Sequence, residues 1–223
     1  MKRYLITIIL LLLSVIILII ISRFYVFKNE KPDTTNTPPQ NNPASISIQE
    51  NTVSISIEVP LDNASARITK KPFGIEVSPD NSPVTPEKFS GFHTGTDFET
   101  LDSKSEEDVA IKAICDGEII QKKSVNGYGG VIIQKCQHNN NPILVLYGHI
   151  ILDSSTKEKE IKKEDFVALL SPAYSPGSGF ERKHLHLGII KGEKINYLGY
   201  VPTEKELSNW IDSEIFLQKE LRN

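Results

Sequence analysis

Four of the five histidines fall into three short motifs whose order could assemble one reactive centre. The first is Gly91-Phe92-His93-Thr94-Gly95-Thr96-Asp97, an imidazole and a carboxylate with three residues between them. The second, Leu146-Tyr147-Gly148-His149, ends an apolar stretch. Alone, either is weak, since a His and an Asp at that spacing often share only a local hydrogen bond and a lone strand-end His is usually structural. The third, His184-Leu185-His186-Leu187-Gly188, is harder to dismiss. A spacing of two on a strand turns both imidazoles to one face and Leu185 and Leu187 to the other. Such a pair gains little from packing and repels when protonated, so it reads as binding a metal or standing beside one. Together the motifs supply neutral imidazole nitrogens, one carboxylate and further histidines for proton handling. That is the donor set of a catalytic zinc site with a position left for water. The helical His-Glu-x-x-His of the common zincins is absent.

The elements expected to carry these residues are strands. Runs at 109–114, 118–122, 131–135, 143–147, 166–170 and 184–190 are apolar or alternating and are separated by Gly, Pro, Asn and Ser. A period of two at 45–59 predicts a hairpin with one buried face. One helix is expected, opened by a capping box at Thr203 and Glu206, with Leu207, Trp210 and Ile211 on one face. The expectation is therefore a mainly antiparallel β domain with one short C-terminal helix. Two cysteines exclude a disulfide-dense scaffold and a four-cysteine structural zinc site. With a hairpin turn at 124–127, Cys115 and Cys136 face one another within reach of a disulfide; two buried free thiols are the alternative.

Residues 5–21 are apolar apart from Thr7 and Ser14, follow Lys2 and Arg3, and as a helix would cover roughly 25 Å, enough to span a bilayer. No small-x-small cleavage signal follows, so a retained anchor is expected rather than a cleaved signal peptide. Arg23, Lys28 and Lys31 rival Lys2 and Arg3, so flanking charge leaves orientation open. The polar, proline-rich stretch after it reads as a tether. With 25 basic against 28 acidic residues, no strong field points toward nucleic acid. The expected layout is a tail at 1–3, a transmembrane helix at 4–22, a linker at 23–44, a leading hairpin at 45–66, one catalytic domain at 67–217 and a tail at 218–223.

Over roughly residues 67–217 the sequence resembles the LytM and lysostaphin-like zinc endopeptidases, which cut peptide bridges in bacterial peptidoglycan. The resemblance rests on Arg67-Ile68-Thr69 with Phe73-Gly74, His93 to Asp97, Cys115-Asp116-Gly117 with Tyr128-Gly129-Gly130, Tyr147-Gly148-His149 and His184-Leu185-His186. It implies a LytM-like fold of the duplicated hybrid motif type and one Zn2+ per domain on His93, Asp97 and His186. It further implies that His149 and His184 flank the water and the scissile carbonyl, His184 as base and His149 toward the oxyanion, roles that could be exchanged. His138 has no counterpart. The implied setting is a single-pass membrane protein with a cytoplasmic N-terminus and an extracytoplasmic domain, in the periplasm or cell wall. The implied partners are stem or cross-bridge peptides of peptidoglycan and, through the anchor, the lipid bilayer; a monomer is expected. The approach to the last motif departs from the family's glycine-rich Ser/Thr-x-Gly-Pro form, reading Ser175-Pro-Gly-Ser-Gly-Phe-Glu-Arg-Lys-His184, and is expected to line the groove. Residues 79–86 with Phe89 read as a longer connection ahead of His93, and 153–164 as an altered surface loop. The competing reading is a catalytically weak LytM-like module that binds peptidoglycan or activates other wall hydrolases.

Overall fold

The computed structural model describes residues 59–101 and 108–220. The expected anchor, the linker and residues 45–58 of the expected hairpin lie outside these. No helix among the described residues is long and apolar enough to cross a membrane. In chain order the strands are β1 (Glu76–Val77), β2 (Gly91–His93), β3 (Gly95–Glu99), β4 (Ala110–Lys112), β5 (Gly117–Val125), β6 (Gly129–His138), β7 (Asn141–Ile151), β8 (Glu160–Ile161), β9 (Phe166–Leu170), β10 (His184–Lys191), β11 (Tyr200–Val201) and β12 (Trp210–Ile211). A single described α-helix follows, α1 (Ser213–Glu220).

The pairings are antiparallel and form two sheets. The larger runs β12-β10-β7-β6-β5-β8, with β3 on β10 and β9 bridging β7 to β4. The smaller runs β1-β2-β11. Alternation along β3, β7 and β10 sorts side chains to the two faces of the large sheet. Phe98, Tyr147, Leu185, Leu187 and Ile189 enter the main core with Ile132, Val145 and Phe216. Leu144, Leu146 and Ile190 face a second core with Tyr128, Val131 and Trp210. Each fully buried leucine contributes about 1.5–3 kcal/mol, so slipping β10 by one residue would forfeit several such terms at once.

The six expected strands form, several of them longer than expected. Six further strands were not expected: β1, β8, β11 and β12 are only two residues long, and Gly91 and Gly95 break the apolar pattern of β2 and β3. The helix expected from Thr203 does not form as such. Glu204–Asn209 is a 3-10 helix, and the Thr203 hydroxyl donates to Glu206 Oε1 at 3.0 Å instead of capping a backbone N–H. Trp210 and Ile211 then pair with β10 as β12. A strand sends Trp210 to the second core and Ile211 toward the main core, whereas one helical face could have served only one of them. Nor does a hairpin reach residue 66, since Ala64–Arg67 is a 3-10 helix.

Hairpin β5–β6 turns between Val125 and Gly129 and places Gly117, not Cys115, opposite Cys136. Cys115 still reaches its partner, with Cα atoms 6.3 Å apart, and the disulfide is formed. It closes a 21-residue separation, worth about 3 kcal/mol of loop entropy in the unfolded chain. Replacing both cysteines by serine is expected to lower the unfolding free energy by about that amount in denaturant titrations, with the reduced parent protein behaving likewise.

Candidate metal centre

Three strand positions bring the sequence-selected residues together. The β3–β10 register sets Asp97 opposite His186 and Glu99 opposite His184, all on the face away from Phe98 and Leu185. On the other side of β10, His186 faces Gly148 of β7. His93 arrives from the small sheet. Only Thr94 separates β2 from β3, so the chain crosses between sheets within the His93 to Asp97 motif. Gly95 belongs to this crossing for a steric reason: a Cβ there would stand 2.6 Å from His186 Nε2.

His149 follows a different rule. By simple alternation it would point opposite to Gly148, into the main core beside Tyr147. The pairing of β6 with β7 shifts register between Gly130 and Val131, and His149 has φ 63°, a left-handed conformation uncommon outside glycine. This bulge re-aims the imidazole toward the centre and lets Ile150 resume the core pattern.

At the centre, His93 Nε2 stands 3.0 Å from His186 Nδ1. Each of these nitrogens is 3.2 Å from Asp97 Oδ1. All three side chains are buried. Zinc bonds of about 2.0–2.1 Å in a tetrahedron put ligand atoms roughly 3.3–3.4 Å apart, so this triangle needs to expand by only a few tenths of an ångström. The outer nitrogens support the same reading. His93 Nδ1 donates to the Pro72 carbonyl at 3.2 Å, which leaves Nε2 as a lone pair directed inward. With a cation among the three atoms, His186 Nδ1 is likewise unprotonated, and its Nε2–H donates to Tyr128 Oη at 3.2 Å. Three acceptor atoms facing one another this closely repel unless positive charge sits among them. The residues therefore fit a metal ion, and His93, Asp97 and His186 form a group able to hold one.

The remaining two histidines flank this group. His149 Nδ1 donates to the Ser178 carbonyl at 2.8 Å and His184 Nδ1 to the Arg182 carbonyl at 2.9 Å. Their rings lie 4.2 Å apart between centroids. His184 Nε2 lies 3.3 Å from Asp97 Oδ2. Burial pushes His149 down to about 4, and it lowers His184 and His186 as well, so these imidazoles are neutral at pH 7. Burial alone would raise Asp97, but the imidazoles of His184, His93 and His186 packed around it hold it well below the ordinary carboxylate range. Tyr128 is pushed up by burial and stays a neutral phenol.

The group opens onto a cleft of about 340 Å³, within the usual range for small-molecule and peptide sites. Glu181 and Arg182 of the divergent approach segment line it, as do Phe89, Tyr197 and Tyr200. Tyr200 pairs with His93 across β2 and β11, stacks on Phe89 and accepts a hydrogen bond from the Lys71 ammonium at 2.9 Å. Lys71 is itself buried against Glu87. The approach segment expected to line the groove contributes Arg182, and the Tyr128-Gly129-Gly130 motif contributes Tyr128, whereas Lys71 and Tyr200 belong to no motif. Isolated Arg, Lys and Tyr residues carry no spacing signal. His138 lies outside the site, its ring packing on Phe216 at 4.8 Å.

Residues 91–197 match the family described as Peptidase family M23. No curated protein sequence matches the chain. Among solved structures, LytU is 19% identical over 69% of this chain and 85% of that one, with a TM-score of 0.46. Lysostaphin from Staphylococcus simulans is 19% identical over 70% of this chain and 51% of that one, with a TM-score of 0.43. Csd3 of Helicobacter pylori is 23% identical over 68% of this chain and 37% of that one, with a TM-score of 0.36.

The Gly95 contact gives a direct check on the geometry. Gly95→Ala is expected to displace the His186 imidazole and to weaken any metal binding at least about tenfold in chelator competition, while the far-ultraviolet circular dichroism keeps its β signature.

Proposed function

We propose that this chain, whose residues 91–197 match peptidase family M23, is a zinc-dependent endopeptidase that hydrolyses peptide bonds of bacterial peptidoglycan. The observation that carries this reading is the convergence of His93 Nε2, Asp97 Oδ1 and His186 Nδ1 beside two imidazoles whose outer nitrogens are both held by carbonyls. The apolar run at 5–21 supports a membrane-anchored protein, and the substrate class supports a catalytic domain outside the cytoplasm.

Two imidazoles and one carboxylate suit zinc, which when bound supplies a Lewis acid and an activated water. The rest of the chemistry falls to the chain. His184, with Nδ1–H fixed on the Arg182 carbonyl, carries its lone pair on Nε2; a proton taken there from water would face Asp97 Oδ2, 3.3 Å away. His149 is held the same way by Ser178, so it can donate to an oxyanion only after taking up a proton itself. Tyr128 needs no such step. Its oxygen accepts from His186 Nε2–H, which leaves the phenol hydrogen to meet the scissile carbonyl oxygen as negative charge develops there. The hydroxyl of Tyr128 thus joins His149 on the electrophilic side.

The deciding experiment is mass spectrometry of fragments released from defined muropeptides, with and without chelator. New amino termini that vanish on chelation and return with zinc are expected. Binding to peptidoglycan without cleavage would replace this reading by that of a recruiting module. His186→Ala is expected to lose the metal. His149→Ala and Tyr128→Phe are expected to retain it, with kcat falling on the order of 10²-fold or more and KM little changed.

A further inference from the structure

A guanidinium rarely sits this deep without a specific task, and Arg182 is only 16% exposed at its side chain. Its Nη2 donates to Asp97 Oδ2 at 2.8 Å. The same group forks onto Glu99, with Nε 3.0 Å from each carboxylate oxygen and Nη2 2.6 Å from Oε1. Asp97 therefore has its two oxygens committed to different partners. Oδ1 faces His93 and His186, while Oδ2 accepts from Arg182 and has His184 Nε2 3.3 Å away. Glu99 stands two residues along the same face of β3, opposite His184, so the strand period itself delivers the counter-charge. Arg182 comes from the approach segment 175–184, two residues ahead of His184, whose Nδ1–H its own carbonyl holds.

On the reading of the centre as a metal site, we propose that Arg182 is a positioning residue that reserves Oδ2 of Asp97, so that the carboxylate offers the metal one oxygen and a coordination position stays open. Glu99 cancels the guanidinium charge, so the clamp adds no net positive charge beside the cation. A carboxylate free to turn would bind through both oxygens and fill the place a catalytic site must keep for water. The planar fork matters here, since it can hold Asp97 and Glu99 at once where a lysine ammonium would act as a point charge.

The test uses the full-length chain in detergent, loaded with Co2+ in place of zinc, because four-coordinate cobalt absorbs visible light several-fold more strongly than five- or six-coordinate cobalt. The double variant R182M/E99M removes the ion pair together and leaves no lone buried charge on that side. Its cobalt band is expected to weaken several-fold as the released carboxylate turns to bind through both oxygens. If the double variant does not fold, Glu99→Gln serves alone. It keeps an acceptor for Arg182 but leaves the positive charge uncancelled, so zinc affinity should fall about tenfold with the cobalt band shape unchanged. A double variant with the parent's spectrum would reduce Arg182 to a structural role and overturn the proposal. So would Glu99→Gln binding zinc as the parent does. A parent chain that binds no cobalt overturns the clamp together with the metal reading. A parent that binds cobalt but cuts no muropeptide sinks only the peptidase reading, and the spectra still decide the clamp.

Discussion

The register between β3 and β10 is the constraint on which the rest depends. It is fixed by what lies on the opposite face: Phe98, Leu185 and Leu187 are fully buried in the main core, and only one pairing leaves all three there. Because side chains alternate strictly, that hydrophobic choice also determines the polar one. Asp97 is delivered opposite His186, and Glu99 opposite His184. The apolar side of the sheet thus acts as the jig for the reactive side. A slip of β10 by one residue would turn His184 and His186 into the core and draw Leu185 and Leu187 out of it, a penalty far larger than any contact within the site could offset.

Within that frame, polar satisfaction rather than packing sets the fine geometry. Each of the four site imidazoles has one ring nitrogen tied to a carbonyl or a phenol, so the other is free to work. Among the described residues no buried side-chain nitrogen or oxygen lacks a partner. The anionic Asp97 is the hub, facing imidazoles on one side and a guanidinium on the other. Such a closed network leaves little freedom for ligands to drift, which is what preorganised electrostatic catalysis requires.

The legible part of this site was the part encoded by period. His-Leu-His reads as two imidazoles on one face because strands have a period of two, and the structure places both there. Which of the two stands nearest Asp97 Oδ1 depends on cross-strand register, and a single sequence does not print register. His149 was found as a residue, but its direction comes from a bulge that ordinary alternation would have denied. Arg182 and Tyr128 stood within quoted segments, but their roles come from partners far away in the chain, as does that of Lys71, which nothing local marks. The helix misplaced at Thr203 shows the same limit: Leu207, Trp210 and Ile211 fit a helical stripe, yet two cores and an open edge on β10 offered Trp210 and Ile211 a better home in a strand.

His93 belongs to the small sheet, while Asp97 and His186 belong to the large one. An ion held by all three would be a cross-link between two hydrogen-bonded layers joined there by a single residue. Its binding energy would then enter the stability of the domain itself, rising as RT ln(1 + [metal]/Kd). Resistance to heat and to proteolysis would track the free metal concentration, so the ion would guard the integrity of the fold as well as serving its chemistry.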